Sequence, residues 1–379
     1  MAARTESRVT AFVVVAPGLE SLLLEELIHL GVRDGRVRHG GVGCSLTLPQ
    51  LGLAHLHLRI ATRVLVRVGR FPAHNFKELE SGLRTIDWAA WLSADASIDL
   101  RAASSGSQLY HEGAIVERAK AVLVGRTGEG AVQTVHLRVQ HDAVTVSLDA
   151  SGEPLHKRGW RQHIDGAPMR ETLAAALVMI SNWDRRKPLV DPFCGSGTVV
   201  IEAAMMARKM PPGRHRSFAF HTWPRAEEVR WDRLTASADA DVLDRQLIIH
   251  ASDTSAKAVD AVTANAARAG VGDAVTTTRC EAVAVVMPGS IGKIITNPPY
   301  GERVHGAATA GRQLASLLER SPGWGGAVIA PAAVIAGHLR RAHPAAPADR
   351  IAVLNGGIAV QLVAFEGVPP WSGVPVVAS

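Results

Sequence analysis

The most constraining feature of the chain is an apolar strand, residues 188–190, that runs into the loop Asp191-Pro192-Phe193-Cys194-Gly195-Ser196-Gly197 and then into a helix over 198–207. Such a strand is apolar throughout, so it needs a sheet neighbour on each side and helices above and below. The flanking sequence supplies them. Strands at 247–251, 274–277 and 293–296 alternate with a helix over 256–269, and a helix over 169–183 precedes the loop. A strand at 326–330, a helix and two strands around Asn355-Gly356 end the pattern. The alternation predicts an α/β fold with a mostly parallel, doubly wound sheet, and the tight Asn-Gly turn makes one edge an antiparallel hairpin.

The first half has a different texture. A strand at 9–15 and the pair Pro17-Gly18 lead into a helix over 19–30, where Leu19, Leu22, Leu23, Leu27 and Leu30 share one face and Glu20, Glu25 and Glu26 the other. Gly31 stops it. A glycine turn, a strand at 45–48 and a short helix over 51–58 complete a small α+β unit. Strands at 63–68, 98–103, 132–139 and 143–148, a helix over 112–124 and a glycine-rich loop at 125–130 form a second unit. A polar, basic hinge over 151–167 separates it from the α/β part at 168–379. The expected domains are therefore 1–58, 59–150 and 168–379.

A chain of 379 residues is long enough for two or three domains, and 47% hydrophobic with 20% charged residues is a globular composition. No apolar run reaches the roughly 18–20 residues of a membrane helix, and no leader-like core follows the first ten residues, so a cytoplasmic location is expected. The net charge of +6 suits a polyanionic partner, but it is spread over both halves and does not by itself distinguish nucleic-acid binding from solubility. Cys44, Cys194 and Cys280 lie far apart, which predicts neither a metal pair nor a disulfide framework. No metal site and no obligate protein partner are expected.

The chemistry gathers where strands end. Glycines at 195 and 197 let the backbone turn sharply against a ligand beside a helix N-terminus. The loop lacks the Lys-Ser/Thr pair of an ATP-binding P-loop, and Val200 breaks the common dinucleotide pattern. Asp253, at the end of the next strand, can accept from a ribose diol or simply cap a helix. Glu281 can accept from an adenine amine or stand as a solvated loop carboxylate. Thr296-Asn297-Pro298-Pro299-Tyr300-Gly301 closes a fourth strand. An aromatic amine attacks an electrophilic methyl only when its N–H bonds are held so that nitrogen can pyramidalise. The Asn297 side-chain oxygen and the Pro298 carbonyl can accept those bonds, Tyr300 can offer its face to an unstacked base, and the two prolines stiffen the loop. Cys194 has no base beside it in the sequence and is read as packing.

Together these residues resemble the THUMP-domain class I methyltransferases of RNA, in the branch that makes N2-methylguanosine in ribosomal or transfer RNA. Ala16-Pro17-Gly18-Leu19-Glu20 with Glu25-Glu26-Leu27 resembles that family's ferredoxin-like unit. Ser147-Leu148-Asp149 and Leu155-His156-Lys157-Arg158-Gly159-Trp160-Arg161 resemble the exit from its THUMP domain. Residues 167–177, 191–198, 201–204 and 297–303 resemble the entry and motifs of its catalytic domain. The resemblance implies a Rossmann-like class I methyltransferase domain behind a ferredoxin-like and a THUMP region, with S-adenosylmethionine as cofactor and structured RNA as partner. It implies cofactor binding by Asp191, Pro192, Cys194, Gly195, Gly197, Thr198, Asp253, Glu281 and Asn297, and catalysis by Asn297, Pro298 and Tyr300. The family commonly has Asp where Glu281 stands. An insert over 205–245, with Arg214, Arg216, Phe218, Phe220 and Trp223, suits either a grip on RNA or a flap with buried aromatics. Two rivals remain: an adenine-N6 methyltransferase of DNA or RNA, and a noncatalytic RNA-binding factor.

Overall fold

Alternate residues Val9, Ala11 and Val13 are buried along the first strand while Arg8 and Thr10 are exposed, which fixes one apolar and one polar face for the sheet it starts. The structure, a computed structural model, describes residues 8–123, 130–163, 169–300, 307–331, 350–355 and 357–367. The chain divides into two compact units, residues 1–157 with 212–240, and residues 158–211 with 241–379.

The first unit runs β1 (Arg8–Val14), α1 (Glu20–His29), β2 (Arg36–Arg38), β3 (Gly41–Thr47), α2 (Leu48–His57), β4 (Arg63–Pro72), α3 (Phe76–Arg84), β5 (Ser97–Ser105), α4 (Glu112–Val122), β6 (Val132–Gln140) and β7 (Ala143–Asp149). Its strands form one sheet, ordered β2-β3-β1-β4-β7-β6-β5, in which only β5 and β6 pair in parallel. The boundary expected at 58/59 falls between α2 and β4, so it lies inside this sheet. β2 and α3 had no counterpart in the sequence reading. The glycine loop at 125–130 lies largely outside the described residues.

The second unit contains α5 (Glu171–Ile180), β8 (Leu189–Asp191) and α6 (Thr198–Ala207), after which the chain leaves through the insert with α7 (Trp231–Ala240). It returns as β9 (Ile249–Asp253), α8 (Ala256–Arg268), β10 (Val275–Arg279), β11 (Gly292–Thr296), α9 (Ala307–Glu319), β12 (Trp324–Ala330), β13 (Arg350–Asn355) and β14 (Ile358–Phe365). The sheet order is β10-β9-β8-β11-β12-β14-β13, parallel from β10 to β12 with β14 and β13 antiparallel. This is the doubly wound sheet with an antiparallel hairpin edge that the pattern predicts. Strand order reverses beside β8, so the ends of β8, β9 and β11 open a crevice there.

Residues 212–240 of the insert, expected inside the α/β domain, fold with the first unit. The reason is apolar burial. Phe218, Phe220 and Trp223 are buried, the Phe218 and Phe220 rings stack at 5.6 Å, and both meet the buried His55 edge-on. Full burial pushes His55 down to about 3, so it packs as a neutral ring. Trp223 donates to Gln133 at 2.8 Å, and Arg216 lies over Phe218 while donating to the Glu153 carbonyl. Of the two roles open to the insert, the buried flap is the one these residues occupy.

The hinge also packs, this time on the second unit. Arg158 pairs with Glu202 at 3.2 Å with both side chains buried, and Arg161 lies 3.4 Å from Glu171 and donates to Thr198 at 2.9 Å. The Asn265 amide nitrogen donates to the carbonyls of His163 and Ser196, so one buried side chain ties this segment to the back of the glycine loop.

Candidate active site

The glycine loop is shaped by two residues in left-handed conformation, Gly195 at φ +49° and Gly197 at φ +85°. At Gly197 a Cβ would meet Val262 at 3.0 Å, so α8 sits close against the start of α6. Backbone bonds then fasten the loop to its neighbours. The Cys194 N–H donates to the Ser252 carbonyl at 3.0 Å, and the Cys280 N–H donates to the Asp253 carbonyl at 3.1 Å. The Asp253 carboxylate accepts from the Gly195 N–H at 3.1 Å and the Ser255 N–H at 2.9 Å. Each oxygen keeps a further acceptor site. Asp253 is thus both a loop anchor and an open acceptor at the end of β9.

A cavity of about 430 Å³ lies over these strand ends, within the usual range for a small-molecule site. Of the residues expected from the sequence, Asp191, Pro192, Cys194, Gly195, Thr198, Asp253, Glu281 and Asn297 line it. Gly197, Pro298 and Tyr300 do not. Gly197 instead caps α6. Tyr300 is half-buried against the core around Ile294, Leu318 and Phe365, and its hydroxyl accepts from Asn355 at 2.7 Å. Gly301 to Arg303 lie outside the described residues.

Several lining residues carry no site role in the sequence pattern, among them Phe193, Ser196, Thr309 and Gln313, while Pro299 has only a stiffening one. Phe193 and Ser196 sit inside the glycine motif, so their position was a usable signal. Thr309 and Gln313 come from α9, whose polar residues follow no motif. Gln313 donates to Glu281 at 3.1 Å, which fixes that exposed carboxylate at the cavity rim.

Two lining atoms stand out chemically. The Asn297 Oδ1 and the Ser196 Oγ are buried and have no hydrogen-bond partner among the described residues. Leaving such atoms unpaired costs about 1–3 kcal/mol each, so both are poised for donors from a ligand. Asn297 follows directly on β11, and the preceding Thr296 donates to Asp191 at 2.6 Å, which locks the ends of β11 and β8 together. Asp191 also accepts from the Phe193 N–H.

Full burial, with a smaller contribution from Asp253, pushes the Asp191 carboxyl up to about 7 from an ordinary 3.8. The folded chain therefore holds this proton more tightly than the unfolded chain. The stability gained from it is fully present below about pH 4 and is lost as pH rises to about 7. Asp191→Asn, which keeps an acceptor for Thr296, removes this dependence. Its melting temperature is expected to gain on the parent's between pH 4 and 7, and paired melts across that range check it; a gap that stays constant with pH contradicts the raised value. Burial also pushes the Cys194 thiol well up, with Asp191 and Asp253 adding to the effect, which disfavours the thiolate that a nucleophile needs.

Residues 158–321 match the RMKL-like methyltransferase domain, and residues 10–65 match the RlmL ferredoxin-like domain. Residues 158–321 thus carry an RMKL-like methyltransferase domain. It is 35% identical over 312 residues to the ribosomal RNA large subunit methyltransferase K/L of Aliivibrio fischeri, covering 77% of this chain and 44% of that protein. The chain thus spans less than half the length of the curated relatives it matches. Among solved structures, SMU.472 complexed with SAH is 28% identical, with a TM-score of 0.87 over 97% of this chain and 100% of that one. A protein from Listeria monocytogenes str. 4b F2365, described as a predicted N6-adenine-specific DNA methylase, is 29% identical, with a TM-score of 0.86 over 96% and 97%. These two structural matches cover nearly the whole length of the chain.

Proposed function

We propose that the chain transfers a methyl group from S-adenosylmethionine to the exocyclic amine of a base in structured RNA, guanine N2 of ribosomal RNA. The observation that carries this reading is the Asn297 Oδ1, buried on the cavity wall and without a partner among the described residues. An amine substrate supplies the donor this oxygen lacks. When bound, S-adenosylmethionine supplies a methyl carbon on a sulfonium, an electrophile whose leaving group needs no protonation. Asp253 accepts from the ribose hydroxyls, Glu281 stands by the adenine, and the glycine loop with Ser196 holds the methionine end. Asn297 accepts from the amine and holds it so that its lone pair faces the methyl group. The chain's contribution is positioning.

The ribosomal substrate of the Aliivibrio fischeri relative supports RNA over DNA, and the SAH held by SMU.472, the demethylated product of S-adenosylmethionine, supports the cofactor. On this reading residues 59–150 serve as a THUMP-like RNA-docking region, and the enzyme is cytoplasmic. Among the described residues no helix is long and apolar enough to cross a membrane. Mass spectrometry of nucleosides from ribosomal RNA and DNA of a deletion strain and its parent tests the proposal. Loss of N2-methylguanosine supports it. Loss of N6-methyladenosine from either nucleic acid moves the target to adenine, and unchanged nucleosides in both sink it.

Asp253→Ala removes two acceptors of about 0.5–1.5 kcal/mol each, so cofactor affinity is expected to fall roughly 5- to 150-fold. Isothermal titration with S-adenosylmethionine measures it. Parent-like affinity removes Asp253 from the ribose site.

A further inference from the structure

The sheet of the first unit has one face covered and one open. Gly69 belongs to the covered face: a Cβ there would meet the Ile86 side chain at 2.6 Å, and its partner Val146 is buried. The open face holds a depression of about 1110 Å³. Six arginines line it, namely Arg36, Arg38, Arg67, Arg70, Arg101 and Arg138, together with three histidines and a single carboxylate, Asp34. Asp34 is engaged, accepting from the Ser45 N–H. Among the described residues Arg67, Arg70 and Arg138 have no ion-pair partner, while Arg101 meets Asp99.

Register shows how the charges are gathered. Arg67 and Arg70 are three apart on β4 and in a regular strand would point to opposite faces. The pairing of β4 with β7 shifts between Arg67 and Gly69, leaving Val68 extra, and this bulge returns both arginines to the open face. Partial burial, and the like charge of Arg70, lower the Arg67 guanidinium from its ordinary value. Paired positions then run straight across the sheet as Ser45, Thr10, Arg67, Ser147, His136 and Arg101. At about 4.8 Å between strands the row spans roughly 24 Å. The His136 Nε2 is buried with no partner among the described residues.

We propose that this open sheet face docks the sugar–phosphate backbone of a helical segment of RNA. Guanidinium groups without carboxylate partners suit phosphates, and the interleaved hydroxyls of Thr10, Ser45 and Ser147 suit the 2′-hydroxyls that mark RNA. Apart from histidines, the one ring in the lining is the half-buried Phe12, so the face lacks the stacking platform that captures single-stranded bases. Binding is therefore insensitive to sequence and sensitive to salt. The inference rests on the RNA reading under "Proposed function" and adds the place of contact.

The test uses the full chain with Arg67→Gln, Arg70→Gln and Arg138→Gln combined, and Arg84→Gln on α3 as control. Fluorescence anisotropy follows binding to a labelled RNA hairpin and to the DNA hairpin of the same sequence, across a salt series. The triple variant is expected to bind RNA at least about tenfold more weakly, with a salt slope shallower by about 2–3, one per lost contact. The control and S-adenosylmethionine affinity should match the parent. A triple variant with the parent's affinity and slope overturns the proposal, and so does a parent that binds the DNA hairpin as tightly as the RNA. Methyl transfer by the parent is measured separately on ribosomal RNA, so a failure of the catalytic reading is not mistaken for a failure of the docking face.

Discussion

Asn297→Ala is expected to keep cofactor and RNA affinity within a few-fold of the parent and to lose roughly 10²–10³ in turnover, comparable to deleting one preorganised donor from an oxyanion hole. Cofactor contacts are assigned to the glycine loop, Asp253 and Glu281, and RNA contacts to other surfaces, so neither substrate needs the amide to bind. The amine does need it. With Oδ1 gone, the acceptor that orients the amine is lost, and the lone pair is no longer held toward the methyl group. An interaction made chiefly in the transition state appears in kcat and not in binding. The ground state should even relax, because a buried acceptor without a partner among the described residues is removed. Single-turnover methylation at saturating cofactor and RNA measures the effect, and a parent-like rate would show that Asn297 does not orient the amine.

That residue was legible because sequence and topology agree about it. A polar residue between an apolar strand and two prolines sits at a strand end, and a parallel sheet opens its ligand crevice there. The same argument located Asp191, Asp253 and the glycine loop, and helix 198–207 was placed to the residue. What escaped depended on contacts between distant segments. The α3 helix carries a signal, since the Asn75 side chain accepts from the Glu78 N–H and donates back to its carboxylate, but nine largely polar residues hide the period of Leu79 and Leu83. Tyr300 looked free to stack on a base. Its hydroxyl is held by Asn355, a residue 55 positions away on the edge hairpin. The raised Asp191 carboxyl and the bulge that gathers Arg67 and Arg70 exist only once burial and register are known.

The flap at 212–240 bears on how the halves can be studied. Its aromatic residues pack with His55 in the first unit although they lie between α6 and β9 in sequence. A fragment begun at residue 158 would carry Phe218, Phe220 and Trp231 without that core, exposing an apolar patch of the kind that drives aggregation. Division of labour between RNA docking and methyl transfer is therefore better tested by point substitutions in the whole chain than by cutting it.

Arg158→Met is expected to cost about 3–5 kcal/mol of stability, because it removes one partner of a buried ion pair and leaves the other carboxylate without its guanidinium. Glu202 is fully buried on α6, and the Arg158 side chain is 2% exposed. Nearby, burial and the charge of Glu202 both raise the Glu171 carboxyl, while Arg161 counters them. With Arg158 gone, Glu171 loses one of the positive charges that hold its carboxyl down, so that carboxyl rises further above its ordinary value. The penalty should therefore shrink on acidification, since a group whose folded pKa is raised destabilises the fold only above its unfolded pKa of about 4. At about 2–4 °C per kcal/mol for a unit of this size, the melting temperature should fall by on the order of 10 °C at pH 8 and by much less at pH 5. Adding Glu202→Leu should recover most of the loss at pH 8, because an apolar pair of similar volume replaces the buried ion pair. A single variant that melts like the parent at pH 8, or a double variant no better than the single, would show that the pair does not hold the hinge to this unit.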